Sequence, residues 1–340
     1  GEAGDPWGIR FLAMFHMAND SGLFRTARAL DAAGARRQGQ VWVEPSGARW
    51  LPLYEAKMIH QFDHRWAGYD AAGEDTLDVE DARKADPGFE PAPRYWVAEA
   101  EVEQRLRAKG WNRGWLLGWR DITGVEKVRT VIASVLPRVG VNHKTPLFFL
   151  EVEPPLAAAF LANLDALVLD YVARQKVGGT SLTFFILKQL AVSPPTAYSK
   201  HDLAFIVPRV LELTYTSRSL AAWARDLGYE GEPFPWDPER RARLRAELDA
   251  YYAFLYGLSR DELRYVLDPA DVMGADYPSE TFRVLKEKEE RTYGEYRTRR
   301  LVLEAWDRFV AEGVFDPERE SGLSPNERDR ARLGRLRGGA

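Results

Sequence analysis

The sequence predicts an α+β protein, in which a mixed sheet-and-helix region precedes a mainly helical one. Runs rich in β-branched and aromatic residues alternate with helical patterns in the first part of the chain. Beyond residue 200 apolar residues recur at helical spacing instead. With 340 residues, 45% of them hydrophobic, the chain has room for about two cores. We therefore predict an α+β domain over residues 1–200, a helical domain over 201–312, and a partly disordered tail over 313–340.

Local signals place the elements of the first domain. Turn residues Pro45-Ser46-Gly47 between two apolar runs indicate a hairpin, and Pro154-Pro155 begins a helix that Gly178-Gly179 ends. In chain order we predict hairpin strands at 40–44 and 49–54, a helix at 97–109, strands at 115–122, 129–136 and 147–151, the helix from Pro154, and a strand at 180–187.

The second domain is predicted from apolar stripes and capping signals. Ser259, with Glu262 three residues later, forms a capping box at the start of a helix. The predicted helices cover 205–226, with a break or start at Pro208, then 238–257, 259–267 and 296–310.

Composition excludes several kinds of chemistry. The chain has no cysteine, so it can form neither disulfides nor thiolate metal sites. No apolar run approaches the roughly 18 residues that a membrane span needs. We expect a cytoplasmic protein with no membrane partner.

The net charge of −4 conceals an uneven distribution. Residues 70–90 contain eight acidic residues against two basic ones, and 70–93 is predicted to be an acidic surface loop. Residues 105–145 contain nine basic residues against two acidic ones, together with Trp111, Trp115 and Trp119. A basic segment with interspersed aromatic residues suits a surface that follows a phosphate backbone. Solvated charge around a tryptophan core would give the same counts.

Three segments in order resemble parts of one known family. The first is Leu51-Pro-Leu-Tyr-Glu-Ala-Lys-Met-Ile-His-Gln-Phe-Asp-His-Arg65. The second is Arg120-Asp-Ile-Thr123 followed by Arg129-Thr-Val-Ile-Ala-Ser-Val-Leu-Pro137. The third is Leu169-Asp-Tyr-Val-Ala-Arg-Gln-Lys-Val-Gly-Gly-Thr180, which runs into Leu187-Lys-Gln-Leu190 and Pro194-Pro195. Together they resemble the carboxy-terminal half of adenine-specific DNA methylases of single-chain type II restriction-modification systems, relatives of which serve other phage-defence systems.

The resemblance implies a target-recognition region that binds duplex DNA and reads a short sequence. Methyl transfer from S-adenosylmethionine would belong to an amino-terminal methyltransferase domain of the same parent chain, and we expect no cofactor in this one. The nearest string to the family's catalytic loop, Ser193-Pro194-Pro195-Thr196, lacks the aromatic residue that would stack on a flipped adenine. We predict a strand-ending turn there and no catalysis by this chain.

Polar and basic residues within these segments and their connecting loops are the predicted DNA contacts. Arginine can read guanine, whereas lysine, threonine and backbone amides hold phosphates. The predicted DNA-binding residues are Lys57, His60, Gln61, His64, Arg65, Arg120, Thr123, Arg129, Thr130, Asn142, Lys144, Arg174, Lys176 and Thr180.

Other interpretations remain open. Glu55 and Lys57 match half of a metal-dependent nuclease signature, so a Mg²⁺-dependent DNA nuclease is the alternative function. His60 and His64 have the spacing of a zinc pair on a helix, although no third ligand lies nearby. Gly178-Gly179 can be an ordinary helix end. A protein-interaction scaffold is the third class of function, besides DNA recognition and nuclease activity.

Overall fold

The structure is a computed structural model that describes residues 5–278 and 280–315, and it confirms the α+β class. From residue 316 onward, the predicted tail lies outside the described residues. The strands are β1 (Arg10–Leu12), β2 (Arg36–Gln38), β3 (Val41–Val43), β4 (Arg49–Tyr54), β5 (Ala67–Tyr69), β6 (Thr76–Asp78), β7 (Trp96–Ala98), β8 (Trp115–Trp119), β9 (Ala133–Pro137), β10 (Gly140–Val141) and β11 (Leu147–Phe149).

The described helices occur along the whole chain and predominate in its second half. They are α1 (Ala27–Ala32), α2 (Asp81–Lys84), α3 (Glu99–Ala108), α4 (Pro154–Asp165), α5 (Leu167–Lys176), α6 (Phe184–Leu187), α7 (Lys200–Thr214), α8 (Ala221–Asp226), α9 (Pro238–Leu255), α10 (Arg260–Leu267), α11 (Pro269–Met273), α12 (Arg283–Tyr293) and α13 (Arg297–Ala311).

The chain divides into two compact units, each built from separate stretches of sequence. The first unit comprises residues 5–122, 132–161 and 194–237. The second comprises 123–131, 162–193, 238–278 and 280–315. The boundary that the sequence placed at residue 200 therefore falls inside a stretch of the first unit.

The first unit contains the sheets. One sheet has the antiparallel order β1-β11-β8-β9. A second has the order β10-β4-β3-β2, with β7 also paired to β4, and its β10–β4 pair is parallel. The hairpin predicted around Gly47 is confirmed as β3 and β4. Large aromatic side chains fill the core, as in the contact of Trp119 with Phe148 at 4.4 Å between ring centroids.

The second unit is helical, and its core lies where α13 packs on α9. Tyr251, Trp306 and Phe309 are buried there, and Phe315 stacks on Phe254 at 4.4 Å between ring centroids. The capping box predicted at Ser259 is confirmed, because the side chains of Ser259 and Glu262 hydrogen-bond each other's backbone amides.

The strand predicted at 180–187 is wrong. Residues Phe184–Leu187 form α6, and Thr183 accepts a hydrogen bond from the amide of Ile186 as its N-cap. The turn at Ser193 consequently follows a helix instead of a strand, and Pro195–Ala197 forms a single 3₁₀ turn.

Two other predictions failed because side chains distant in sequence capture backbone amides. The helix from Pro154 breaks at Ala166, where the chain is extended and Asp249 accepts the amide of Leu167. Helices α4 and α5 form a pair that is bent by 58°. No single helix in the described residues is long and apolar enough to cross a membrane. Among those residues only this bent pair has the length and composition of a membrane span. The strand predicted from residue 129 begins at Ala133 instead, because Asp170 takes the amides of Thr130 and Val131.

The acidic stretch 70–93 is structured. Strand β6 pairs with β5, and α2 follows it. Lys84 is buried, and its ammonium group lies 2.7 Å from Asp63. Helix α7 likewise starts earlier than predicted, because Ser199 and Asp202 form a capping box, and it continues through Pro208.

Candidate nucleic-acid interface

Arg65, at the end of the first motif segment, is fully buried within the first unit. Its guanidinium donates hydrogen bonds to the carbonyl oxygens of Lys84, Asp86, Phe89 and Thr216 at 2.9–3.1 Å, and to the Thr216 hydroxyl at 3.0 Å. Burial lowers the pKa of Arg65, and nearby carboxylates oppose this shift. An arginine whose donors are used in this way cannot contact DNA, so that prediction is wrong.

His64 belongs to a buried polar cluster next to Arg65. Its Nε2 lies 3.1 Å from Ser219 Oγ, 3.2 Å from Ser217 Oγ and 3.3 Å from Glu90 Oε2. Burial alone would raise the pKa of Glu90, but His64 and the serine hydroxyls hold it below its usual value. In a catalytic triad the serine and the acid bind different ring nitrogens, whereas here both share Nε2. We interpret the cluster as structural.

Gln61 is buried as well, being 3% exposed. The three polar residues Gln61, His64 and Arg65 are thus inside the first unit, and their predicted role as DNA contacts needs correction. The physical reason is that the segment folds inward: Phe62 adopts a positive φ of 57°, and its amide donates to the carbonyl of Ala133. The first motif segment therefore packs directly on the second.

Lys57 and His60 remain at the surface of this segment. Lys57 is exposed, and the ring of His60, which is partly exposed, lies 4.4 Å from that of Trp66. His60 and His64 are not on a helix and face different neighbours. No group of three or more metal-binding side chains occurs in residues 5–278 and 280–315.

Arg120 fixes this turn from the second motif segment. Its Nε donates to the carbonyl of Ile59 at 2.7 Å, and an Nη donates to that of Lys57 at 3.2 Å. Burial lowers the pKa of Arg120 to about 10. Since the guanidinium is partly exposed, it retains surface for a ligand while holding the backbone.

Arg120→Ala is expected to destabilise the first unit by about 1–3 kcal/mol, because two carbonyl oxygens lose a charged donor. Urea denaturation followed by circular dichroism would measure the change. Arg107→Ala, at an exposed arginine, provides the matched control and should change stability by less than about 0.5 kcal/mol. Equal stabilities of the two variants would show that Arg120 is not part of the scaffold.

In the second unit Arg174 is buried in a similar way. It donates to the carbonyl oxygens of Val125, Lys127, Val128 and Thr281 at 2.6–3.1 Å, and its Nε lies 3.3 Å from Asp170. Burial lowers its pKa, and Asp170 opposes the shift. The predicted DNA contact by Arg174 is therefore wrong.

Arg129 and two threonines of the same unit also serve the scaffold. Arg129 is 8% exposed, and its Nη2 lies 3.5 Å from Asp249. Burial raises the pKa of Asp249, whereas Arg129 and the amide of Leu167 lower it. Thr123 donates to the carbonyl of Thr130, and Thr130 donates to that of Gly124. Arg129, Thr123 and Thr130 are all buried, which corrects their assignment as DNA contacts.

The exposed candidates of the second unit lie at the end of α5 and just after it. Lys176 and Thr180 are exposed, as are Gly178 and Gly179 between them. The carbonyl of Thr180 accepts the amide of Thr123, so the third motif segment pairs with the second. A nearby aromatic side chain, Phe185, is 76% exposed.

The loop at Asn142 turns its amide inward. Asn142 is 3% exposed, and its Oδ1 accepts hydrogen bonds from the amide of Lys144 and the hydroxyl of Thr145. Lys144 lies 2.7 Å from Asp121. The asparagine therefore shapes the turn and does not contact DNA, whereas the partly exposed lysine remains a candidate.

Glu55, the proposed nuclease carboxylate, is half-buried beside Tyr69. Burial raises the pKa of Glu55, while a hydrogen bond from Tyr69 and the charges of Arg94 and Lys57 lower it. The nuclease signature also needs an acid upstream of Glu55. Glu44, which precedes it in the chain, accepts a hydrogen bond from the indole of Trp50 at 2.8 Å. No observation here favours nuclease chemistry over DNA binding, and the nuclease alternative stays a prediction.

Sequence reasoning missed the hairpin of β2 and β3. The two-residue turn Gly39-Gln40 joins Gln38 to Val41, and Gly39 has the positive φ that such turns use. Arg36, Arg37 and Gln38 of β2 are all exposed at the edge of their sheet. A glycine between an arginine-rich triplet and Val41-Trp42-Val43 was the available signal.

We compared this chain with known protein families, with curated proteins and with solved structures, and none of them matches it. The likeness to DNA methylases consequently depends on the three motif segments.

The described strands do not form the parallel-sheet arrangement in which nucleotide-like cofactors commonly bind, and the expectation of no cofactor in this chain stays a prediction. Nucleotide-like cofactors bind at the carboxyl ends of neighbouring parallel strands, usually over a glycine-rich turn into a helix. In residues 5–278 and 280–315 the strands pair antiparallel except β10 with β4, and no such turn joins β10 to a helix.

Proposed function

We propose that this chain is the sequence-specific duplex-DNA recognition module of an adenine-specific DNA methyltransferase of a restriction-modification or phage-defence system. A separate methyltransferase domain of the parent protein would bind S-adenosylmethionine and transfer the methyl group. The observation that carries the proposal is the ordered occurrence of the three motif segments that resemble such enzymes.

The contacts of these segments support the proposal by giving their co-occurrence a physical reason. Within the first unit, the amide of Phe62 donates a hydrogen bond to the carbonyl of Ala133, and Arg120 donates one to the carbonyl of Ile59. The first and second segments are therefore linked directly by hydrogen bonds. Within the second unit, Asp170 binds the amides of Thr130 and Val131. Within each unit the segments therefore brace one another, and DNA contacts are to be sought among the exposed side chains around them.

Exposed basic residues of the first unit provide a surface for phosphates. Residues 24–50 include five arginines (25, 28, 36, 37 and 49), all exposed, against the acidic residues Asp31 and Glu44, and Arg49 is also paired with Glu99. A local excess of positive charge attracts a nucleic acid even when the net charge of the whole chain is negative.

The test is duplex-DNA affinity as a function of salt concentration. If about five phosphates are contacted, the affinity should fall roughly 500-fold between 50 and 200 mM salt, because each contact releases a condensed counterion. Fluorescence anisotropy with a labelled duplex would measure it, and a competition with a randomised duplex library would reveal sequence preference. A protein-interaction scaffold would show no salt-sensitive affinity, and that result would contradict the proposal.

A further inference from the structure

The outer face of strand β2 presents two side chains suited to reading bases. The side chains of Arg36 and Gln38 are exposed, and within the described part of the chain neither side chain forms a hydrogen bond or an ion pair. They are two residues apart on a strand, so they point to the same side of the sheet. Arg37 points to the other side, where it donates to the carbonyl of Gly39 and to Gln40.

The cross-strand register identifies which side is which. Arg37 is opposite Trp42, which is buried in a cluster with Leu30, Ala35 and Trp96. Arg36 and Gln38 are opposite Val43 and Val41. The face with Arg36 and Gln38 is therefore the one turned away from this small core.

The hairpin is held firmly, so these side chains project from a fixed support. The indole of Trp96 donates to the carbonyl of Gln40 at 2.7 Å, and the Gln40 amide donates to the carbonyl of Glu90 at 2.6 Å. Trp42 packs edge-on against Trp96, with ring centroids 6.2 Å apart. A rigid support lowers the conformational entropy lost when a ligand binds.

The chemistry of the two side chains matches the major groove of DNA. Arginine forms paired hydrogen bonds with O6 and N7 of guanine, and glutamine does so with N6 and N7 of adenine. The major groove admits a two-stranded ribbon. Here β2 and β3 form the edge of a larger sheet, because β3 also pairs with β4, so β2 is the strand that meets the groove. Residues two apart on a strand are separated by about 6.6 Å, which is close to two base-pair steps of about 3.4 Å each.

We infer that the β2–β3 hairpin enters the major groove of duplex DNA, where Arg36 reads a guanine and Gln38 reads an adenine about two base pairs away. The inference rests on the proposed function and names the element that selects the sequence. The exposed residues Arg25, Arg28 and Arg36 supply the complementary charge for this ligand, whereas Arg37 points to the other side and Arg49 is paired with Glu99. The edge strand is thus assigned to DNA instead of to a peptide strand.

The experiment uses the whole chain and a randomised duplex library, followed by anisotropy measurements on the selected duplex and its single-base variants. Arg36→Lys keeps the charge but loses the planar fork, so it should reduce discrimination at one G·C pair about tenfold or more, with an unchanged salt dependence. Gln38→Ala should do the same at one A·T pair. Arg37→Lys, on the opposite face of the same strand, is the matched control and should keep the selected sequence.

The outcomes separate this inference from the proposed function. If the unaltered chain selects a sequence, and Arg36→Lys and Gln38→Ala both keep that selection in full, the hairpin does not read DNA although the module does. That result would also be expected of an edge strand that recruits a peptide. If the unaltered chain shows no salt-sensitive affinity for any duplex, the proposed function fails and this inference fails with it. Equal thermal melting of all variants would show that the fold is intact.

Discussion

Arg65→Ala is expected to prevent the first unit from folding stably. The substitution removes the donor for four backbone carbonyl oxygens, those of Lys84, Asp86, Phe89 and Thr216, at a fully buried position. An unsatisfied buried acceptor costs about 1–3 kcal/mol, so the loss is about 4 kcal/mol or more. Since whole domains are stable by only about 5–15 kcal/mol, we expect low solubility or a melting temperature reduced by at least about 8 °C.

Two further variants separate this structural role from a general effect of charge. Arg65→Lys keeps the charge but has three donors on one nitrogen, so it should recover only part of the stability. Arg94→Ala removes an exposed arginine that lies over the Tyr95 ring, and it should cost less than about 1 kcal/mol. Thermal unfolding by circular dichroism measures all three. An Arg65→Ala protein that melts like the unaltered chain and binds DNA poorly would restore Arg65 as a contact residue.

Because Arg65 is buried, the polar residues of the first motif segment are interpreted as structural instead of as a binding site. A short string that is rich in polar residues suggests a binding site, but here Gln61, Asp63, His64 and Arg65 are all buried. Their partners include Lys84 at the end of α2 and, from loops, Glu90 and Ser217, all of them distant in sequence. Such a cluster requires particular residue types at every position, because each replacement leaves a buried polar group without its partner. It therefore specifies the scaffold, while the recognised DNA sequence can depend on side chains outside the motifs.

Predictions from the sequence succeeded where the cause was local. The β3–β4 hairpin follows from its turn residues, and the start of α10 follows from the capping box of Ser259 and Glu262, which needs only four neighbouring residues. The α+β class followed from periodicity and is confirmed.

Predictions failed where the cause was distant in sequence. Asp170 and Asp249 capture amides 39 to 82 residues away, which shortens one strand and divides one helix. Charge counts predicted a basic surface over residues 105–145, yet Arg129 of that stretch is buried against Asp249, and Arg138 is paired with Glu103. A sequence gives the number of charges but not their partners, so the exposed arginines of residues 24–50 were overlooked.

Arg174→Met is expected to have the second large effect, in the other unit. It leaves the buried carboxylate of Asp170 without its cation and removes the donor for four carbonyl oxygens, among them those of Val125, Lys127 and Val128. Breaking a buried ion pair by removing one partner costs about 3–5 kcal/mol. The loop 123–131 should lose protection from amide hydrogen exchange before the rest of the unit unfolds.

The double variant Arg174→Met with Asp170→Asn distinguishes scaffold from DNA contact. An asparagine can still accept the amides of Thr130 and Val131 but carries no uncompensated charge, so the double variant should be more stable than Arg174→Met alone. Lys176→Met, two residues further along the chain and exposed, is the control and should keep stability within about 0.5 kcal/mol. If Arg174→Met instead left stability and exchange unchanged while weakening DNA binding, the arginine would have to leave its carbonyl partners in solution, and its assignment to the scaffold would be wrong.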